Sequence, residues 1–259
     1  MPASKFSVLL SLALVGGSCS VAITTGIHGV LPKTHLHVHS FIARSPFQCG
    51  PGSHEAVAAR LGHEPPAHNF PRDKAWHEAK AIIFCRNWRG ESSDLPRDTE
   101  VRLLWSPRFF YVRIRARYQD LFIYPEANLR RQNLWQRDVA EIFLQTETTR
   151  LKQYKEFEIS PNGNWLDLAI APQGSSDLLC PVKTNTIIEQ KRHVWIAQLA
   201  IPMHCLTDSF DPRASWRLNL FRIEGRAPAR FYSSWRPTNT SQPNFHVPEV
   251  FGTLTFSLD

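Results

Sequence analysis

"YKEFEISPNGNWLDLAI" (residues 154–170) is the stretch whose reading decides the fold. Two runs of alternating apolar and polar residues flank Asn162-Gly163, a dipeptide that supplies the positive φ angles a tight β-hairpin turn needs. In the first run Phe157 and Ile159 point opposite to Glu156 and Glu158; in the second, Leu166, Leu168 and Ile170 oppose Trp165 and Asp167. The leucine and phenylalanine rows are expected to face a core. The rows of Glu, Asp and Trp are expected to face solvent, with cross-strand ion pairs.

The same texture extends in both directions. Short runs rich in β-branched and aromatic residues occur at 100–105 (EVRLLW), 109–116, 138–145, 193–201, 216–224, 230–235 and 252–258. Turn signals at Ser106-Pro107, Asp211-Pro212 and Gly225 separate them. In "YVRIRAR", Val112, Ile114 and Ala116 share a face expected to be core, while Tyr111, Arg113, Arg115 and Arg117 share a wet one. "DKAWHEAKAIIF" (73–84) predicts a brief helical turn leading to an apolar edge. Nine strands with almost no helix predict an all-β fold, an antiparallel β-sandwich.

A chain of 259 residues is long enough to bury such a core without staples. Residues 1–20 read as a secretory signal peptide, with Lys5 before the apolar run "FSVLLSLALV" and the small residues "GGSCS" after it. The run is too short for a permanent membrane span, so the protein is expected to be secreted, periplasmic or held in the cell envelope. Cys19 also resembles a lipoprotein cleavage site. Residues 21–68 lack a sustained period and read as an irregular lead-in with a short helix at Glu55–Leu61; the sandwich is expected over 69–259. His35, His37 and His39 alternate within the lead-in, without the carboxylate or cysteine framework of a metal site.

The net charge of +7 raises nucleic acid as a partner, but Arg108, Arg113, Arg115, Arg117, Arg130 and Arg131 are scattered among strands and no nucleic-acid motif accompanies them. Nucleic acid is therefore not expected, and nothing in the sequence indicates an oligomeric state. The five cysteines form no metal-ligand spacing. With Cys19 set aside, Cys49, Cys85, Cys180 and Cys205 allow at most two disulfides of unread pairing, or stay as buried thiols. Asn239-Thr240-Ser241 is formally an N-glycosylation acceptor.

One strand breaks the rule of polar rows. In "VAEIFL", Val139, Glu141 and Phe143 share a face, so a carboxylate lies among large apolar side chains, where it is costly unless partnered. Trp135 stands six residues before it, in the loop leading to the strand. A Trp beside charged hydrogen-bonding groups suits a sugar, whose pyranose ring offers an apolar C–H face for stacking and a rim of hydroxyls for polar contacts. Arg113 or Arg115 is a candidate for fixing that carboxylate.

The motif W-x2-D-x2-E-I-F (Trp135, Asp138, Glu141, Ile142, Phe143) is followed in order by "FEISPNGNWLDL", "IPM", "WRLNLFRIEG" and "WRPTNTSQPNFHVPEVFGTLTF". Together these blocks resemble the carbohydrate-binding module family 9-like group, which sits among the jelly-roll or immunoglobulin-like sandwiches that include DOMON domains. The resemblance implies binding of glucan or xylan chain ends, or of small saccharides, without catalysis and in the service of polysaccharide use. It implies a stacking role for Trp135 and a hydroxyl-binding role for Glu141, with a second aromatic drawn from Trp235, Phe245 and His246. It implies no cofactor; structural calcium occurs in such modules, but no acidic loop here places one.

Three alternatives compete. The sandwich could serve protein contacts in the cell envelope. The DOMON relatives suggest haem, for which Met203 with His246 would be the axial pair, since Met203 and His204 are adjacent in a strand and point apart. Glycoside hydrolysis would need two carboxylates facing across a cleft, and the predicted faces of Glu141 and of Glu156 or Asp167 differ. Asn219 and Arg222 fall on opposite faces, which leaves Arg222 for ion pairing.

Overall fold

A computed structural model describes residues 49, 53–66, 69–150 and 152–258. The signal, Cys19 and alternating-histidine readings lie outside the described residues. The strands are β1 (Glu55–Arg60), β2 (Ile82–Phe84), β3 (Thr99–Trp105), β4 (Phe109–Arg117), β5 (Val139–Gln145), β6 (Tyr154–Ile159), β7 (Trp165–Ala171), β8 (Gly174–Asp177), β9 (Lys183–Glu189), β10 (Val194–Pro202), β11 (Trp216–Glu224), β12 (Phe231–Ser234) and β13 (Gly252–Phe256). Two short helices, α1 (Asp73–Glu78) and α2 (Met203–Leu206), complete the regular structure with a few 3-10 turns. All nine expected strands are present; β1, β2, β8 and β9 are additional.

The strands form two sheets joined at one strand. The front sheet runs β8-β7-β6-β5-β11-β13-β1, with β12 on β11; the back sheet runs β1-β3-β4-β10-β9, with β2 on β3. β1 is the hinge between them: Glu55–Ala58 pair with β13 and Ala59–Arg60 with β3, parallel in both cases. The expected helix at Glu55–Leu61 is therefore a strand, and the expected antiparallel sandwich is a mixed one that begins inside the presumed lead-in. Only short side chains fit where β1 passes between the sheets, and Ala56 and Ala58 are buried in the core there.

The main core lies between the sheets. The front sheet supplies Ile142, Leu144, Phe157, Ile159, Leu218 and Leu220, and the back sheet supplies Leu103, Val112, Ile114, Trp195, Ala197 and Leu199. Each large aliphatic or aromatic side chain buried in this way contributes about 1.5–3 kcal/mol. Two further clusters cover the outer faces. On the back sheet, Trp76 of α1 packs on Leu104, Tyr111 and Ala200, so the face read as wet is partly roofed. On the front sheet, Val139, Phe143, Tyr154, Phe221 and Ile223 lie beneath Phe245 and Phe251 of the chain that leads into β13. All seven residues of β5 are buried as a result.

That double cover inverts one sequence reading. Trp165 and Asp167 face the main core side, paired across the sheet with Ile159 and Phe157, while Leu166 and Leu168 lie opposite Glu158 and Glu156. Asp167 is fully buried and accepts hydrogen bonds from Arg130 Nε (2.8 Å) and the Cys180 amide (2.6 Å). Glu156 and Glu158, expected in solvent, are buried on the outer face of the front sheet. The Asn162-Gly163 turn joins β6 to β7 as expected, with Gly163 at φ 85°. Disulfides link Cys49 to Cys85 and Cys180 to Cys205. Among the described residues no helix is long and apolar enough to cross a membrane.

Candidate functional site

The outer face of the front sheet carries a pocket of about 420 Å³. Its floor is Glu141 of β5, Glu156 of β6 and Ile223 of β11; its walls are Trp135, Tyr232 and the segment Gln242–His246. Strand registration makes the floor. Glu141 pairs with Glu158 and Phe221, and Phe143 with Glu156 and Asn219, so one face presents carboxylates in a ring of aromatic side chains. Phe245 stacks on Phe221 (4.3 Å between centroids, 12° between planes), which holds the wall segment down. Trp88 anchors the chain just before that segment, its carbonyl accepting from the Thr238 amide (2.8 Å) and its indole N–H donating to the Thr240 carbonyl (3.0 Å).

Trp135 is exposed in its ring and fixed in its backbone. It sits in the 3-10 turn Leu134–Gln136, which follows Asn133 in the left-handed region (φ 56°). Leu134 is fully buried beside Val139 and Phe143, anchoring the turn. Arg230 donates to the carbonyls of Trp135 and Arg137, and Glu158 accepts the Trp135 amide. The residue is 49% exposed at the pocket mouth. Asp138, fully buried, accepts from the amides of Phe122 (2.9 Å) and Gly225 (2.7 Å), and so ties the loops on either side of the entry to β5.

The electrostatics of the floor are unusual. Glu141, Glu156 and Glu158 are 4%, 5% and 1% exposed. Burial pushes all three carboxyls up: Glu141 well above the usual range, with Glu156 adding to the effect and Arg230 opposing it; Glu156 to about 7; Glu158 well above, with Glu141 and Glu156 adding. Glu156 and Glu158 lie next to each other on this face, a placement that a proton held between them would relieve. His246 closes one wall: its Nδ1 meets the Tyr154 hydroxyl at 2.7 Å, its ring tilts on Phe143, and burial lowers its pKa.

Of the residues expected at a site, Trp135, Glu141, Phe245 and His246 come together here. Trp235 does not: it is 4% exposed in the main core, against the Cα of Gly252, where a Cβ would lie 2.6 Å from the indole. Arg113 and Arg115 belong to β4 of the back sheet; Arg113 pairs with Asp73 of α1 (3.0 Å) and Arg115 lies across from Glu100, so neither fixes Glu141. Arg230 is the cation that acts on that carboxylate. Arg222 is buried in the interior, paired with Glu224 (2.9 Å). Met203 opens α2 and packs in the main core, whereas His246 packs on the outer face of the front sheet, so the two do not form an axial pair. Contrary to the predicted faces, Glu156 shares a face with Glu141.

Sequence reasoning missed Glu156, Glu158, Tyr232, Gln242 and Asn244 as site residues. The signal for the glutamates was present: the alternation in 154–159 opposes them to Phe157, and pairing β6 with β5 puts them beside Glu141.

Comparison with known proteins agrees with this architecture. The family model for carbohydrate family 9 binding domain-like proteins matches residues 71–258. An "Extracellular protein" of Arthroderma benhamiae is 21% identical over 175 residues, 61% of this chain and 78% of that protein. Among solved structures, a protein from Bacteroides uniformis superposes with a TM-score of 0.63 at 17% identity, covering 80% of this chain and all of the other. Family 9 carbohydrate-binding modules from Caldicellulosiruptor kristjanssonii, in complex with cellotriose and with glucose, superpose with TM-scores of 0.57 and 0.56, each at 16% identity over 78% of this chain and 93% and 95% of theirs. With a two-sheet core, a pocket on its outer face and a family match across most of its length, the chain belongs to the carbohydrate family 9 binding domain-like family.

Proposed function

We propose that the protein is an exported module that binds the terminal sugar of a glucan or xylan chain, or a small saccharide, in the pocket beneath Trp135, without chemistry of its own. The observation that carries this reading is the pairing of an exposed, backbone-fixed indole with a buried carboxylate floor. The indole offers a flat apolar face to the C–H side of a pyranose, and Glu141 and Glu156, with the amides of Gln242 and Asn244, offer polar partners to its hydroxyls. Strands carry the floor and aromatic packing fixes the walls, so the site is preformed and binding needs little rearrangement.

The absence of catalysis is supported by the same geometry. Glu141 and Glu156 lie side by side on neighbouring strands of one floor, whereas glycoside hydrolysis uses carboxyl groups that flank the scissile bond. Export is supported by the apolar N-terminal run and by the extracellular description of the Arthroderma relative. The saccharides held by the two Caldicellulosiruptor modules make glucose and β-glucan ends the first ligands to try. Isothermal calorimetry of the full chain against glucose, cellobiose, xylobiose and galactose tests the reading. Saturable heat with at least one sugar, weakened about tenfold or more by Trp135→Ala, is expected; a folded protein that gives no heat with any of them refutes it.

A further inference from the structure

Three buried carboxyls, Glu141 and Glu156 lining the pocket and Glu158 beside them on the same face, call for something beyond a neutral sugar. Glu141 lines the pocket, is buried, and among the described residues has no hydrogen-bond donor. Among the described residues Glu156 Oε2 and Glu158 Oε2 have no hydrogen-bond partner. Among the described residues Arg230 is the cation acting on the cluster; its Nη2 donates to the carbonyls of Trp135 and Arg137, and its Nε is buried without a hydrogen-bond partner. The other titratable groups facing the cluster, Tyr154 and His246, bond to each other and bring no positive charge. Isolated carboxylates in such a place are expensive and are relieved either by protons or by a cation.

From this arrangement we infer that the preferred ligand is an aminopyranose, whose ring stacks on Trp135 while its ammonium group is held by Glu141 and Glu156. The inference rests on the proposed sugar-binding reading and narrows it. An ammonium presents three donors, which suits acceptors that the protein leaves unfilled. It also replaces a proton that burial favours on Glu156: the ligand arrives carrying its charge, the O–H bond of that carboxyl breaks, and the proton leaves to solvent. Among the described residues no group of histidine, cysteine and carboxylate ligands has a geometry that would hold a metal ion, which favours an organic cation.

The test is calorimetry of the full chain at neutral pH with glucose, glucosamine, N-acetylglucosamine and calcium chloride, repeated in two buffers of different ionisation enthalpy. Glucosamine is expected to bind about tenfold or more tightly than glucose or N-acetylglucosamine, with a heat that depends on the buffer because a proton is released. In Glu156→Gln the ratio of glucosamine to glucose affinity should fall several-fold. Glucose binding as tightly as glucosamine, with a Trp135-dependent heat, would overturn this inference and leave the sugar-binding reading intact. Calcium displacing glucosamine from the wild-type pocket would also overturn it. No heat with any sugar would remove both.

Discussion

At the scale of single residues, Trp135→Ala and Trp235→Ala are predicted to have opposite effects. The Trp135 ring touches solvent and its position is set by backbone contacts, so its loss should leave stability within about 0.5 kcal/mol of wild type while sugar affinity drops. Trp235 fills the core against Gly252, and its truncation should cost about 3–5 kcal/mol in urea denaturation. The buried glutamates make a second prediction. Burial raises Glu156 from its ordinary 4.5 to about 7, so between those values the folded protein binds more protons than the unfolded chain. Stability present below the lower value is lost as pH rises through the upper one, and Glu141 and Glu158, also raised, act in the same direction. The thermal midpoint should fall as pH rises across that window, and fall less steeply in Glu156→Gln. A midpoint that rises across the window in the wild type would contradict the assignment.

At the scale of elements, β1 is the piece on which the two sheets depend, because it pairs with β13 along one half and β3 along the other. Ala58 is fully buried there, and Ala58→Glu should cost about 3 kcal/mol or more, or abolish cooperative unfolding, as followed by circular dichroism in urea. The sequence of this strand, "EAVAAR", reads as helix because alanine favours helix and only tertiary pairing makes it extended. β8 and β9 escaped notice for a different reason: they are polar strands at the ends of the sheet path, where solvent-facing residues are expected and no apolar row announces them. The strands of the centre, with strong alternation and clear turns, were legible in position. Which of their rows faces inward was not always so. In β7 the inner row holds Trp165 and Asp167 and the outer row holds leucines, because the front sheet is covered on both sides and polarity no longer marks the interior. The same double cover hid Glu156 and Glu158 from the site, whereas Glu141 was legible because it breaks an apolar row on its own strand.

At the scale of the whole molecule, the candidate site follows from layering. A roof of α1 and the segment before it lies over the back sheet, the apolar core joins the sheets, and the chain carrying Phe245 and Phe251 folds over the front sheet and leaves an opening at Trp135. The scattered arginines of the sequence are mostly committed to carboxylates on this frame: Arg108 to Glu64, Arg113 to Asp73, Arg117 to Asp98, Arg130 to Asp167 and Asp177, and Arg131 to Glu126. Several of the arginines are thus held in structural ion pairs, while, among the described residues, Glu141 and Glu156 line the pocket without one. A concave, carboxylate-floored opening on a frame of paired strands suits recognition of a small ring.

The most direct test of the central claim is to follow the indole N–H resonances of the eight tryptophans by nuclear magnetic resonance during titration with glucose, glucosamine and cellobiose, with Trp135 assigned by Trp135→Phe. The Trp135 resonance is expected to move saturably with at least one of these sugars, while those of the buried Trp76, Trp105, Trp195, Trp216 and Trp235 stay in place. Saturable movement of another tryptophan with Trp135 unmoved, or no movement of any with all three sugars, would contradict it.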